Sequence, residues 1–163
     1  MRNEWIDSLC CGQQSKQRPI YAMTPAKLAL ACLALCSTHA YSQPYKGTWG
    51  PTSTTAVSIT GGVTIDSHKI AFAGAGEPMV LDTKIVDARA GRWLFAVTGS
   101  KTGAIPLLND NSLCERGTLP TYVVVQVSRS DLLLGVSSEV QAPSLGWTGI
   151  VPPVDCGTYF YSR

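Results

Sequence analysis

"TYVVVQVSRSDLLLGVSS", residues 121–138, decides the fold. "TYVVVQVSR" (121–129) is rich in β-branched valine and reads as a strong strand, with Val123, Val125 and Val127 on one face. A period of two marks a strand, because successive side chains point to opposite sides of a sheet. "SRSD" (128–131) is a polar turn, and "LLLGVSSEV" (132–140) resumes as the next strand. Strands joined by so short a turn are antiparallel neighbours.

The same grammar runs outward in both directions. "TAVSIT" (55–60) alternates Val57 and Ile59 with Ser58 and Thr60, then meets Gly61-Gly62 and "VTID". Tight two-residue turns need positive φ, so the glycine pair predicts a hairpin here. "DSHK" (66–69) turns into "KIAFA", with Ile70 and Phe72 on one face, and Pro78 in "GAGEP" ends that run. "MVLDTKIVDA" (79–88) reads as one long strand or two short ones. "RAGR" (89–92) turns into "WLFAVTG", where Trp93, Phe95 and Val97 share a face. Ser100–Pro120 is an irregular loop, and Gln141–Pro153 is a second, rich in Pro and Gly. "CGTYFYSR" (156–163) is the last strand, with Phe160 on one side and Tyr159 and Tyr161 on the other. Short strands at hairpin spacing predict an all-β fold, a small antiparallel meander barrel, with a sandwich as the alternative. Pairing of the first strand, "YKGTWG", with the last would close the sheet and remove its exposed edges.

The front of the chain reads as an address. Leu28–Cys36 is a run of Leu, Ala and Cys, too short for the roughly 20 residues that span a bilayer. Lys27 precedes it, and Thr38 and Ala40 supply the small residues of a cleavage site. Residues 1–40 are therefore expected to be a signal peptide, with Met23 as an alternative start, and 41–163 a single domain. Cys36 follows Leu35, a poor context for lipidation.

That division changes two balances. The chain's net charge of +2 rests on Arg2, Lys16, Arg18 and Lys27 against Glu4 and Asp7. Beyond residue 40 acids and bases balance, and no basic stripe remains to neutralise phosphates. Nucleic acid is not an expected partner, nor is stable membrane insertion of the mature chain. Of six cysteines only Cys114 and Cys156 follow the cut. In an oxidising compartment they are expected to pair, closing a loop of about 43 residues worth roughly 4 kcal/mol.

Gly47-Thr48-Trp49 resembles the Gly-x-Trp of the calycin group, the lipocalins and avidins. The resemblance implies an antiparallel barrel closed at one end by Trp49, which meets a basic side chain from a late strand; Arg163 is the residue so placed. It covers three residues and the strand plan. The Ser100–Pro120 loop departs from the pattern, and no avidin ligand residue can be placed. As a whole the chain resembles the small exported domains of uncharacterised bacterial proteins that begin with "GTW" and end near "CGTY", which implies no particular chemistry.

Catalytic motifs do not assemble. His68, the one histidine after residue 40, lies on a turn beside Asp66 and Ser67, where adjacent side chains scatter. "TGSKTG" (98–103) has Ser100 inserted where a phosphate loop needs Gly-Lys, and "GAGEP" lacks the third glycine of a dinucleotide fingerprint. Asp110 and Glu115 lack calcium-loop spacing. No catalytic residue, metal ligand or cofactor is expected. Trp147, Tyr159 and Tyr161 are the candidate contact residues, whether for a ligand cup or a surface. The expected function is an exported, non-catalytic binding module, periplasmic or secreted, whose partner is a protein or small ligand of the cell envelope. It would present the loops 100–120 and 141–153. The alternatives are a calycin-like carrier with a cavity of at least about 300 Å³ and a periplasmic inhibitor of a hydrolase.

Overall fold

Alternation along the chain becomes a closed wall in the computed structural model, which describes residues 43–104 and 106–163. The expected signal segment, Met23 and Cys36 lie outside the described residues. The strands are β1 (Gly47–Pro51), β2 (Val63–Ile65), β3 (Lys69–Phe72), β4 (Met79–Arg89), β5 (Arg92–Ser100), β6 (Tyr122–Ser128), β7 (Asp131–Ser137) and β8 (Gly157–Ser162). Each pairs antiparallel with the next, and β8 returns to β1 to close the barrel. The seam is short: Gly50 faces Ser162 and Pro51 faces Tyr161, and the amides of Thr52 and Ser53 extend it by donating to the Phe160 carbonyl. The architecture is the meander barrel and not the sandwich.

The barrel has unlike ends. One gathers the tight turns between β2 and β3, β4 and β5, and β6 and β7. At the β4–β5 turn Ala90 (φ 43°) and Gly91 (φ 78°) are both left-handed, the backbone of a primed hairpin whose twist matches its strands. Past Thr83, whose amide donates to the His68 carbonyl, β4 runs on without a partner strand on that side among the described residues. A bulge between Ile85 and Asp87, the Asp87 carboxylate on the Ala88 amide, and the charges of Lys84 and Arg89 blunt this edge against pairing with other chains.

The tight-turn end is sealed. The Trp49 indole is buried and donates to the Tyr45 carbonyl at 2.9 Å. The Arg163 guanidinium, just past β8, lies 4.0 Å from the Trp49 ring centroid and donates to the carbonyls of Pro44 and Lys46. The Tyr45 ring sits 4.9 Å from Trp93 and 5.4 Å from Phe95. Inward positions of every strand then fill the interior. Phe72, Leu81, Val123, Val125, Leu134, Tyr159 and Tyr161 all join one buried cluster.

The opposite end carries the long connections, and one departs from its sequence reading. Residues 56–60 are a π-helical turn and not a strand of a Gly61-Gly62 hairpin. Three bonds hold it: the Ser53 hydroxyl accepts from the Ala56 amide, the Thr60 hydroxyl donates back to the Ala56 carbonyl, and so does the Gly61 amide. Val57 and Ile59 therefore do not share a sheet face; Val57 is exposed, while Ala56 and Thr60 turn inward over the barrel mouth. The Thr60 and Tyr161 hydroxyls meet at 2.7 Å. The β5–β6 loop adds Leu107 and Leu113, both buried, and Asn109 Nδ2 donates to the Ser58 carbonyl. Cys114 of this loop is bonded to Cys156 at the start of β8.

Burial raises the phenol pKa of Tyr161 and Tyr159; burial and the nearby Asp66 charge raise that of Tyr45. A raised phenol contributes stability in full below the ordinary tyrosine range, and the contribution is lost as pH climbs toward the folded-state value. Stability should therefore hold through neutral pH and fall from about pH 10. These tyrosinates should appear at 295 nm together with unfolding. Ionisation of all phenols with unchanged far-ultraviolet dichroism would contradict the packed interior. Tyr161→Phe should lower neutral-pH stability by about 1 kcal/mol through its lost bond to Thr60.

Candidate functional site

β7 poses a problem that the β7–β8 connection solves. Leu132, Leu134 and Val136 point into the barrel, yet Leu133 and Gly135, on the outer face, are buried as well. On neighbouring strands Leu94 and Val124 are also outward and buried. A wall apolar on both faces must be covered. Residues 138–156 leave the loop end, run down the outside of β5–β8 as a strap, and return to Cys156.

Leu145 is the strap's anchor. It is 3% exposed and packs on Leu94 and Val124, a burial worth roughly 2 kcal/mol. Pro152 fills the space above Gly135, where a Cβ would lie 2.5 Å from the proline ring. Arg92, the first residue of β5, clamps the strap from below. Its Nη1 donates to the carbonyls of Leu145 and Trp147, both at 2.9 Å, and its Nε donates to Gln126 Oε1. The same guanidinium lies 3.9 Å from the Trp147 ring centroid. An arginine fork suits this task because several fixed donors act in one plane while the face stacks on an indole. The Trp147 Nε1 is buried without a hydrogen-bond partner among the described residues. At the strap's root Asp155 accepts from the Ser138 amide and hydroxyl. Desolvation works to raise its pKa, but bonds from Ser137 and Ser138 outweigh it and hold the carboxyl below its usual range.

The descending strap leaves its tip uncovered. Ile150 is 85% exposed and Val151 46%, next to Phe160 of β8 at 37%. Between Ile150 and the wall lies a groove of about 290 Å³, lined by Thr52, Gln126, Ser128, Asp131, Leu133 and Phe160, with Leu132 and Tyr161 at its floor. Cross-strand register sets the apolar wall: Leu133 faces Gln126 on one side and Phe160 on the other.

The residues singled out in the sequence do not converge. Trp147 is half-buried on the outer wall beneath Arg92. Tyr159 and Tyr161 lie inside the barrel, on the other side of the sheet. Trp49 and Arg163 stack at the tight-turn end, and Cys114 and Cys156 bridge the loop end. His68 is exposed on its turn, where Asp66 accepts from the Ser67 amide and hydroxyl, not from the imidazole. Among the described residues no three of His, Cys, Asp and Glu gather as metal ligands. Sequence reasoning missed Arg92, Leu145 and Asp131. "LLLGV" held the one available signal, since a strand apolar at every position needs cover on both faces. No family model, curated protein or solved structure matches this chain.

Gly135→Ala should force the strap outward. A loss of about 1–3 kcal/mol in urea unfolding, with faster proteolytic cleavage between residues 141 and 153, is expected. Gly76→Ala, with nothing within 4 Å of the added methyl, is the control and should change neither.

Proposed function

We propose that this chain is an exported, non-catalytic interaction module that docks a partner protein of the cell envelope on the strap tip. The observation that carries the reading is Ile150: a large aliphatic side chain held 85% exposed by a strap whose backbone is pinned on both sides of it. Exposed apolar groups on a rigid frame lose little entropy when a partner covers them, and contiguous apolar surface on a small domain marks a contact site. Val151 and Phe160 extend that surface.

Export is supported by the Cys114–Cys156 bond, since such bonds persist in oxidising compartments. A periplasmic or secreted location is the reading that this bond and the signal-like sequence of residues 1–40 support. The calycin-like carrier has the Trp49–Arg163 stack in its favour. Against it, Phe72, Phe95, Tyr159 and Tyr161 occupy the volume a carrier would leave for cargo. A hydrolase inhibited by docking is one partner class that fits the reading.

Ile150→Ser and Val151→Ser alter exposed side chains and should leave stability within about 0.5 kcal/mol. Together they should reduce capture of the partner from envelope extract at least tenfold, by quantitative mass spectrometry against the unaltered chain. Equal capture by both chains would refute docking at the strap tip.

A further inference from the structure

We propose that the groove beside the strap tip receives an apolar side chain whose neighbour in the partner's sequence is Lys or Arg. This rests on the interaction-module reading and adds the chemistry of the partner. The groove is amphipathic in a specific way. Leu133, Ile150 and Phe160 form an apolar wall, and Thr52, Gln126 and Ser128 a neutral polar one. Asp131, at the tight-turn end of β7, is the one charged side chain lining it.

That carboxylate has no cation of its own. The ion pairs among the described residues are Lys46 with Asp66 and Arg116 with Asp110, and neither involves Asp131. Arg92, which bonds the groove residue Gln126, is also committed to two strap carbonyls and the Trp147 ring, and Arg129 of the β6–β7 turn makes no ion pair with Asp131. An incoming ammonium or guanidinium would thus meet an unpaired carboxylate as the apolar side chain beside it leaves water. Charge complementarity of this kind selects the partner and suppresses one of like charge. The volume, about 290 Å³, is at the small end of ligand sites and suits one or two side chains. A protein and not a small molecule is the fitting occupant, because Ile150 and Val151 carry the apolar surface beyond the groove, where only an extended partner covers them.

The test titrates the isotope-labelled full chain with blocked hexapeptides Gly-Gly-Leu-X-Gly-Gly, where X is Arg, Gln or Glu, and separately with 3-methylbutylamine. Amide shifts should map to Thr52, Asp131, Leu133, Ile150 and Phe160. Affinity should fall in the order Arg, Gln, Glu, with about a fivefold or larger gap between Arg and Gln. Asp131→Asn should erase that gap while leaving the Gln peptide unchanged, and Asp131→Lys should reverse the order. Equal affinity for the three peptides overturns the proposal, as does amine binding as tight as the Arg peptide, or shifts that follow protein concentration alone, the mark of a second copy in the groove. Ile150→Ser separates the two levels. If it abolishes partner capture while Asp131→Asn and Asp131→Lys leave capture and peptide order untouched, the docking surface stands and the cationic preference falls.

Discussion

Strand β7 carries apolar side chains toward both faces of the sheet, and that two-sided burial organises the rest of the molecule. In a small barrel one face is always buried, while the other normally meets water and carries polar residues. "LLLGV" breaks the alternation, and Leu94 and Val124 on adjoining strands deepen the apolar patch. Left bare, such a wall would be an aggregation hazard. The chain covers it with its own β7–β8 connection, using Leu145 as a plug and Pro152 against Gly135. The Arg92 fork then locks the covering segment by its carbonyls, so that the strap belongs to the rigid body. Cover ends at Ile150, and the groove with its apolar rim is what remains open.

Closure does the complementary work inside. Trp49 and Arg163 seal the tight-turn end, and the π-helical turn with Leu107 and Leu113 stops the other. Tyrosines on β8 and phenylalanines on β3 and β5 pack between the plugs. Two ends stopped by side chains leave the outer wall as the place where surface chemistry can vary without disturbing the core. The Cys114–Cys156 bond ties the plug loop to the root of the strap, so the two long connections restrain one another.

Much of the fold was legible from period alone. The β6–β7 hairpin, the turns at Asp66–Lys69 and Arg89–Arg92, and the shared faces of β5 and β8 all follow from alternation and turn chemistry, whereas alternation alone left residues 79–88 as one long strand or two short ones, and the structure makes them one. Residues 55–60 were not legible, because Val57 and Ile59 mimic a strand. The determinants of the turn are the hydroxyls of Ser53 and Thr60, whose backbone bonds no periodicity reveals. The candidate site was less legible still. It depends on a loop doubling back over the four strands β5–β8, which places Arg92 against residues more than fifty positions away. Trp147 could be flagged as a loop aromatic, but its partner could not. Overall neutrality also hid a polarity: toward the loop end Glu77, Asp110, Glu115, Glu139 and Asp155 outnumber Lys101 and Arg116, whereas toward the other Lys46, Lys69, Lys84, Arg89, Arg92, Arg129 and Arg163 outnumber Asp66, Asp87 and Asp131.

The central claim is that the strap is as rigid as the wall it covers and so presents Ile150 in a fixed position. Backbone ¹⁵N relaxation of residues 141–154 tests it most directly. The account predicts order parameters near those of the β-strands, about 0.85. Values below about 0.6 across Leu145 to Val151, with the strands themselves ordered, would contradict it.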